Sequence, residues 1–155
     1  MTVAPALLPH LEPHPQWKAR CLQVMGNTQV KDGQYRSAVK LLATATRLFL
    51  ESGHQSEAAW YRSRAATSHR ALGECDQAEV LLDKSRTAYS EMGNEFEAAK
   101  CRSDLGNLMR EKRQFGASIQ YSSTARQTFD TLGKTFYAAQ CSASMGATYI
   151  RWGKP

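Results

Sequence analysis

The cysteines and histidines are the first side chains to weigh as zinc ligands or as a nucleophile and its base: Cys21, Cys75, Cys101, Cys141, His10, His14, His54 and His69. Zinc needs ligands at close spacing, such as Cys-x-x-Cys or paired Cys and His, and no such spacing occurs. A catalytic His needs a partner group held by the fold, and the sequence points to none. His10 and His14 stand in a Pro-rich segment and His54 follows Gly53. His69 shares a register with Gln29, Met109 and Tyr149. There is no Gly-x-x-x-x-Gly-Lys-Ser/Thr phosphate loop and no Gly-x-Ser-x-Gly elbow. The chain is therefore expected to be no enzyme and to use no metal and no cofactor. All four cysteines are expected as free thiols. Cys21, Cys101 and Cys141 read as small buried residues, since neighbouring repeats stand too far apart for a disulfide. Free thiols imply a reducing, cytoplasmic compartment.

The remaining chemistry is recognition by charge. Lys plus Arg number 20 against 14 Asp plus Glu, a net charge of +6. That bias suits acidic partners but is too small to mark a nucleic-acid-binding protein. The 155 residues suit one domain, and 42% hydrophobic with 22% charged residues is ordinary for a globular chain. No apolar run approaches the length of a transmembrane helix, and the N-terminus lacks the basic-then-apolar pattern of a secretory signal.

Proline divides the chain. It occurs at Pro5, Pro9, Pro13, Pro15 and Pro155 and nowhere between. Proline fixes φ and removes a backbone donor, so residues 1–15 read as an extended tail and 16–155 as the helical domain. The helical part repeats every 40 residues. Gly53, Gly93 and Gly133 share a register, as do the pairs Ala58-Ala59, Ala98-Ala99 and Ala138-Ala139. So do Cys21, Tyr61, Cys101 and Cys141; Gly26, Ala66, Gly106 and Gly146; Phe49, Tyr89 and Phe129; and Ala38, Ala78 and Ser118. A fixed period in this range is the mark of a solenoid. Glycines near the helix ends read as C-caps. The spacing predicts seven helices near 16–31, 35–51, 55–71, 75–91, 95–111, 115–131 and 135–152, which makes three pairs and one unpaired helix. Small residues twelve apart, Gly26 with Ala38, Ala66 with Ala78 and Gly106 with Ser118, predict close helix crossings within each pair. Gly146 is expected to need the same explanation, because mid-helix glycine is unfavourable by about 1 kcal/mol.

These residues resemble the tetratricopeptide repeat. The first unit reads Met25-Gly26-Asn27, Tyr35, Ala38, Leu42, Ala45, and the third reads Leu105-Gly106-Asn107, Phe115, Ser118, Ser122, Ala125. The second is weaker, with Ala65-Ala66-Thr67, Cys75, Ala78, Leu82 and Ser85. The fourth retains only Met145-Gly146 and Tyr149. The early Trp position holds Leu22, Arg62, Arg102 and Ser142, and the terminal Pro is missing. The period is 40 rather than about 34, with the excess expected in the second helix and its turn. The pattern looks like the long subclass found in spindle-orientation adaptors with Leu-Gly-Asn repeats, and like sensor arrays attached to signal-transducing NTPases. HEAT and armadillo repeats have periods of about 40–47 residues but fit the Leu-Gly-Asn triplet poorly. The resemblance implies an all-α, right-handed α-solenoid of three and a half repeats.

It also implies that the first helix of each pair faces a concave groove. The matching positions are Arg20, Gln23, Asn27 and Val30; Trp60, Ser63, Thr67 and Arg70; Lys100, Ser103, Asn107 and Arg110; and Gln140, Ala143, Ala147 and Ile150. Each set falls at spacings of three and four, hence on one stripe. The stripe carries Arg20, Arg70, Lys100 and Arg110 and reads as free of acid. The expected function is non-enzymatic binding of an acidic peptide or protein segment, with nucleic-acid binding as the alternative and no membrane partner. A chaperone-tail clamp is not expected. Asn27 and Lys100 match its positions, but Gln23, Arg64 and Asp104 stand where Lys, Asn and Arg would be. Met145, Tyr149 and Trp152 lie where a paired second helix would pack. Two expectations follow: the natural protein continues past residue 155 with further repeats, or this face associates with another copy.

Overall fold

The computed structural model describes residues 14–154; the expected extended tail lies outside them except for its last two residues. The described residues form seven helices: α1 (Pro15–Lys31), α2 (Tyr35–Glu51), α3 (Gln55–Ala71), α4 (Cys75–Glu91), α5 (Glu95–Glu111), α6 (Phe115–Thr131) and α7 (Thr135–Trp152). No strand occurs among the described residues. The helices follow the glycine spacing, with α1 starting one residue early at Pro15, where proline's fixed φ suits a first helical position. None of the described helices is long and apolar enough to cross a membrane.

The backbone sets the period. Each of α1 to α6 has 17 residues, and a three-residue turn separates each from the next. The middle turn residue is left-handed: Gly33, Gly53, Gly73, Gly93 and Gly133 have φ between +68° and +76°. The residue after it donates its N–H back across the helix end, as from His54 to the Phe49 carbonyl (2.8 Å) and from Asn94 to Tyr89 (2.8 Å). This is the Schellman closure. The expectation that the second helix absorbs the extra length is corrected: both helices of each pair are equally long.

Helices adjacent in sequence pack together, and α5 also approaches α7, so the odd helices form one layer and the even helices the other. Every even helix buries the same four registers: Ala38, Leu42, Ala45 and Phe49; Ala78, Leu82, Ser85 and Tyr89; Ser118, Ser122, Ala125 and Phe129. The closing aromatic meets the next odd helix at its Tyr or Cys register. Phe49 stacks on Tyr61 at 5.1 Å, Tyr89 clusters with Cys101, and Phe129 with Cys141. Cys101 and Cys141 are accordingly buried, while Cys21 is exposed and Cys75 half-buried. The expectation of a buried Cys21 is thus corrected, because no described aromatic of an even helix stands against it.

The small-residue crossings are present but shifted. A Cβ on Gly106 would lie 2.5 Å from Ser122 Oγ and 3.2 Å from the Ser118 carbonyl; one on Gly26 would lie 3.0 Å from Leu42 Cδ2. The contact therefore reaches residues sixteen along as well as twelve. Gly146, expected to need a close crossing, has nothing within 4 Å.

Two tests follow from this frame. Arg113 occupies the glycine position of the α5–α6 turn with φ +62°. A left-handed conformation is unfavourable by roughly 1–2 kcal/mol for a residue with a Cβ. Arg113→Gly is expected to raise the urea midpoint, corresponding to about 1 kcal/mol; a lowered midpoint contradicts the account. The second test reads the thiols. Burial, reinforced by Asp104 and Glu97, pushes the Cys101 thiol up to about 12, and burial also raises Cys141. Only the thiolate attacks, so alkylation of the native protein near pH 8 should modify Cys21 first and Cys101 and Cys141 last. Mass mapping of the time course checks the order, and the denatured, unreduced chain should titrate as four thiols.

Candidate functional site

The odd-helix layer carries the stripe, and its best-connected part lies on α3, α5 and α7. Arg110 Nη1 donates to the Ser144 carbonyl (3.1 Å) and to Ser144 Oγ (3.0 Å). Ser144 Oγ in turn donates to Asn107 Oδ1 at 2.6 Å. This leaves the amide N–H groups of Asn107 free to donate elsewhere. The Cys141 thiol points at Ser103 Oγ, 3.7 Å away. The α5–α7 approach thus brings Ser103, Asn107 and Arg110 together and holds them from behind.

The stripe is not free of acid, which corrects the sequence expectation. Asp104 faces both Arg70 and Lys100. Asp104 is solvent-exposed, yet desolvation by the surrounding helices is the largest effect on its carboxyl and raises it above the ordinary aspartate range. Arg70 and Lys100 pull the other way. Lys100 Nζ also lies 3.1 Å from Glu97 Oε2, and Arg70 Nε lies 3.4 Å from Glu111 Oε1. Arg20 and Arg110 form no ion pair among the described residues. Asp104 and Ser144 share one register with Val24 and Arg64. That register borders the four positions read from the sequence, and a wider helical arc would have included it.

The other expected residues are held more locally. The Arg20 guanidinium lies 5.9 Å from the Trp17 ring centroid, and that of Arg64 lies 5.6 Å from the Trp60 ring. Trp60 is half-buried and meets Tyr61 edge-on at 4.9 Å. The hydroxyls of Ser63 and Thr67 donate into their own helix, to Trp60 and Ser63 carbonyls. Gln23 is half-buried, and the Oδ1 of Asn27 is buried without a partner.

On α7, Met145 is half-buried and Tyr149 and Trp152 are each 37% exposed. Trp152 is not bare: its ring lies 6.0 Å from Phe115, and Lys154 Nζ caps it at 3.8 Å. Ile150 and Phe136 are the more exposed apolar residues of this helix.

His69 acquires the partner that sequence reasoning did not find. Its Nδ1 lies 2.6 Å from Glu74 Oε2 across the α3–α4 turn. The pair clasps that turn together with Arg36, whose Nη2 lies 3.7 Å from Glu74 Oε1. Among the described residues, no three His, Cys, Asp or Glu side chains gather as a metal site.

No family model matches the chain, and no curated protein matches it by sequence. Solved structures do match by fold. One is BtubC (BKLC) from P. vanneervenii, with a TM-score of 0.68 and 16% identity over 91% of this chain and 64% of that one. Another is aspartyl phosphate phosphatase F from Bacillus subtilis, with a TM-score of 0.72 and 15% identity over 90% of this chain and 42% of that one. The chain thus spans less than two thirds of either. At such identities the likeness is one of architecture, and the architecture is an all-α solenoid.

Proposed function

We propose that the odd-helix face recognises a segment of another protein and releases it unchanged, as the likeness to tetratricopeptide arrays implies. The observation that carries this reading is the Asn107–Ser144–Arg110 network beside the Arg70–Asp104–Lys100 group. Fixed donors and acceptors alternate there on a preformed surface, which suits the alternating carbonyl and N–H groups of a polypeptide. A phosphate backbone asks for an unbroken positive track, and Glu97, Asp104 and Glu111 interrupt it. Protein is therefore favoured over nucleic acid. Acidic preference centres on the cations of this face without an internal counter-charge among the described residues, Arg20, Arg64 and Arg110. Lys100 and Arg70 contribute less, since acids of the same chain already face them. Trp60, half-buried beside Arg64, offers an apolar anchor between these cations.

The chain displayed against a randomised peptide array, with single-stranded RNA as a parallel ligand, tests the proposal. Retained peptides should be enriched in Asp and Glu. Arg110→Glu should weaken them by about tenfold, and Lys100→Glu by less. Binding of RNA but not peptide, falling steeply with salt, would overturn the reading. So would peptide affinities unaffected by Arg110→Glu.

A further inference from the structure

Arg62 lies on α3 about 120° around the helix from the centre of the stripe, at 100° per residue. It lines a cavity of about 210 Å³ between α2 and α4, with Thr46, Ala65, His69, Gln77 and Leu81 among the walls. Arg62 is half-buried. Burial alone acts on it, lowering its pKa from the ordinary arginine value, and no carboxylate opposes that effect. No hydrogen bond or ion pair holds its guanidinium among the described residues.

The repeat supplies an internal comparison. Forty residues on, the equivalent cavity of about 320 Å³ is lined by Arg102 with Arg86, Ala117 and Tyr121 in the registers of Thr46, Gln77 and Leu81. There each cation has its acid. Arg102 Nη1 lies 3.6 Å from Glu95 Oε2, and Arg86 Nη2 lies 2.6 Å from Asp83 Oδ1. In the α3 repeat the registers of Glu95 and Asp83 hold Gln55 and Ala43. One repeat thus has two cations and two acids around its cavity, and the other has a lone cation. Glu74, the acid that pairs with the cavity-lining His69, is engaged by Arg36 as well.

We propose that the Arg62 cavity is a binding notch for a carboxylate carried by a partner protein, an Asp or Glu side chain that replaces the missing acid. Its volume is below the roughly 300–1,000 Å³ of small-molecule sites, which fits one side chain better than a cofactor. Arg62 can meet the carboxylate with two parallel N–H groups. Ala65 and Leu81 line the path of its methylene stem, and the Gln77 amide is a further donor. A single cation balances a monoanion, which favours a carboxylate over a phosphoryl dianion. The notch is separate from the odd-helix face, so either can fail alone.

The test follows the Arg62 Nε–Hε resonance and the Gln77 and Leu81 amide resonances of the ¹⁵N-labelled chain. The probes are a capped hexapeptide of Glu, one of Gln, and inorganic phosphate. A saturable shift with the Glu peptide alone is expected. Arg62→Gln should weaken it by at least about tenfold, read at Gln77 and Leu81. Gln55→Glu restores the acid that the neighbouring repeat carries and should weaken it similarly, with an unchanged circular dichroism spectrum. Arg102→Gln and Arg110→Glu should leave it unchanged. No shift at Arg62, an equal or stronger response to phosphate or to the Gln peptide, or a Gln55→Glu chain that binds as before would each overturn the proposal.

Discussion

A left-handed residue closes each helix here, and the rest of the structure depends on its placement. Six glycines take φ between +68° and +76°, and each terminates a helix at which side-chain capping contributes little. Of the N-cap residues of α2 to α7, only Asn94 accepts a bond from its own first turn, at Glu97 N–H. The Schellman closure fixes where the chain reverses, independently of what the helix buries. Because a 17-residue helix and a three-residue turn alternate without drift, a residue and its counterpart 40 positions away meet equivalent neighbours. The four buried registers of the even helices follow from that phase lock. Arg113 adopts the same conformation as the glycines, which shows how strongly packing of α5 against α6 enforces the turn.

Translational equivalence also explains why departures from the repeat are informative. Cys21 and Cys101 share a register, yet one is exposed and the other buried, because only Cys101 lies against a closing aromatic, Tyr89. Gly106 and Gly146 share another, yet only Gly106 is pressed by a crossing helix. Arg62 and Arg102 share a third, yet only Arg102 has a carboxylate. In each case the residue is unchanged or nearly so and the surroundings differ. A repeat protein carries its own control: the matched member shows which neighbour the unmatched one lacks.

The helices were legible in the sequence because their boundaries are a backbone property written in glycine. Burial was legible for the even helices, where spacings of four, three and four repeat three times. What was not legible depends on contacts between units. The extra residues were assigned to the second helix, since family length alone does not say how two helices divide them. Cys21 was read as buried from its register, although burial belongs to the helix that packs on it. Along the sequence Asp104 stands out only as a mismatch at a clamp position, and the stripe reads as acid-free. Its proximity to Arg70 requires α3 and α5 to be laid side by side, which no linear pattern contains.

That dependence on the neighbouring unit governs the surface charge as well. Lys112, at the end of α5, reaches back to Asp76 at 2.9 Å and Glu79 at 2.6 Å on α4. The hydrogen bond that its ammonium donates to Glu79, then the one it donates to Asp76, holds it above the ordinary lysine range. Arg70 on α3 reaches forward to Glu111 on α5, and Arg36 on α2 reaches Glu74 in the α3–α4 turn. Exposed pairs of this kind are each worth only about 0–1 kcal/mol, so they do little to hold the solenoid together. Their consequence is subtraction: each removes a cation from what a ligand can meet. The net charge of +6 is therefore not evenly available: eight of the 20 Lys and Arg side chains carry an ion pair among the described residues and the rest do not. Arg20, Arg64 and Arg110 remain on the odd-helix face and Arg62 in its notch, and under the proposed reading their spacing on the rigid frame, more than the total charge, is what an acidic partner would have to match.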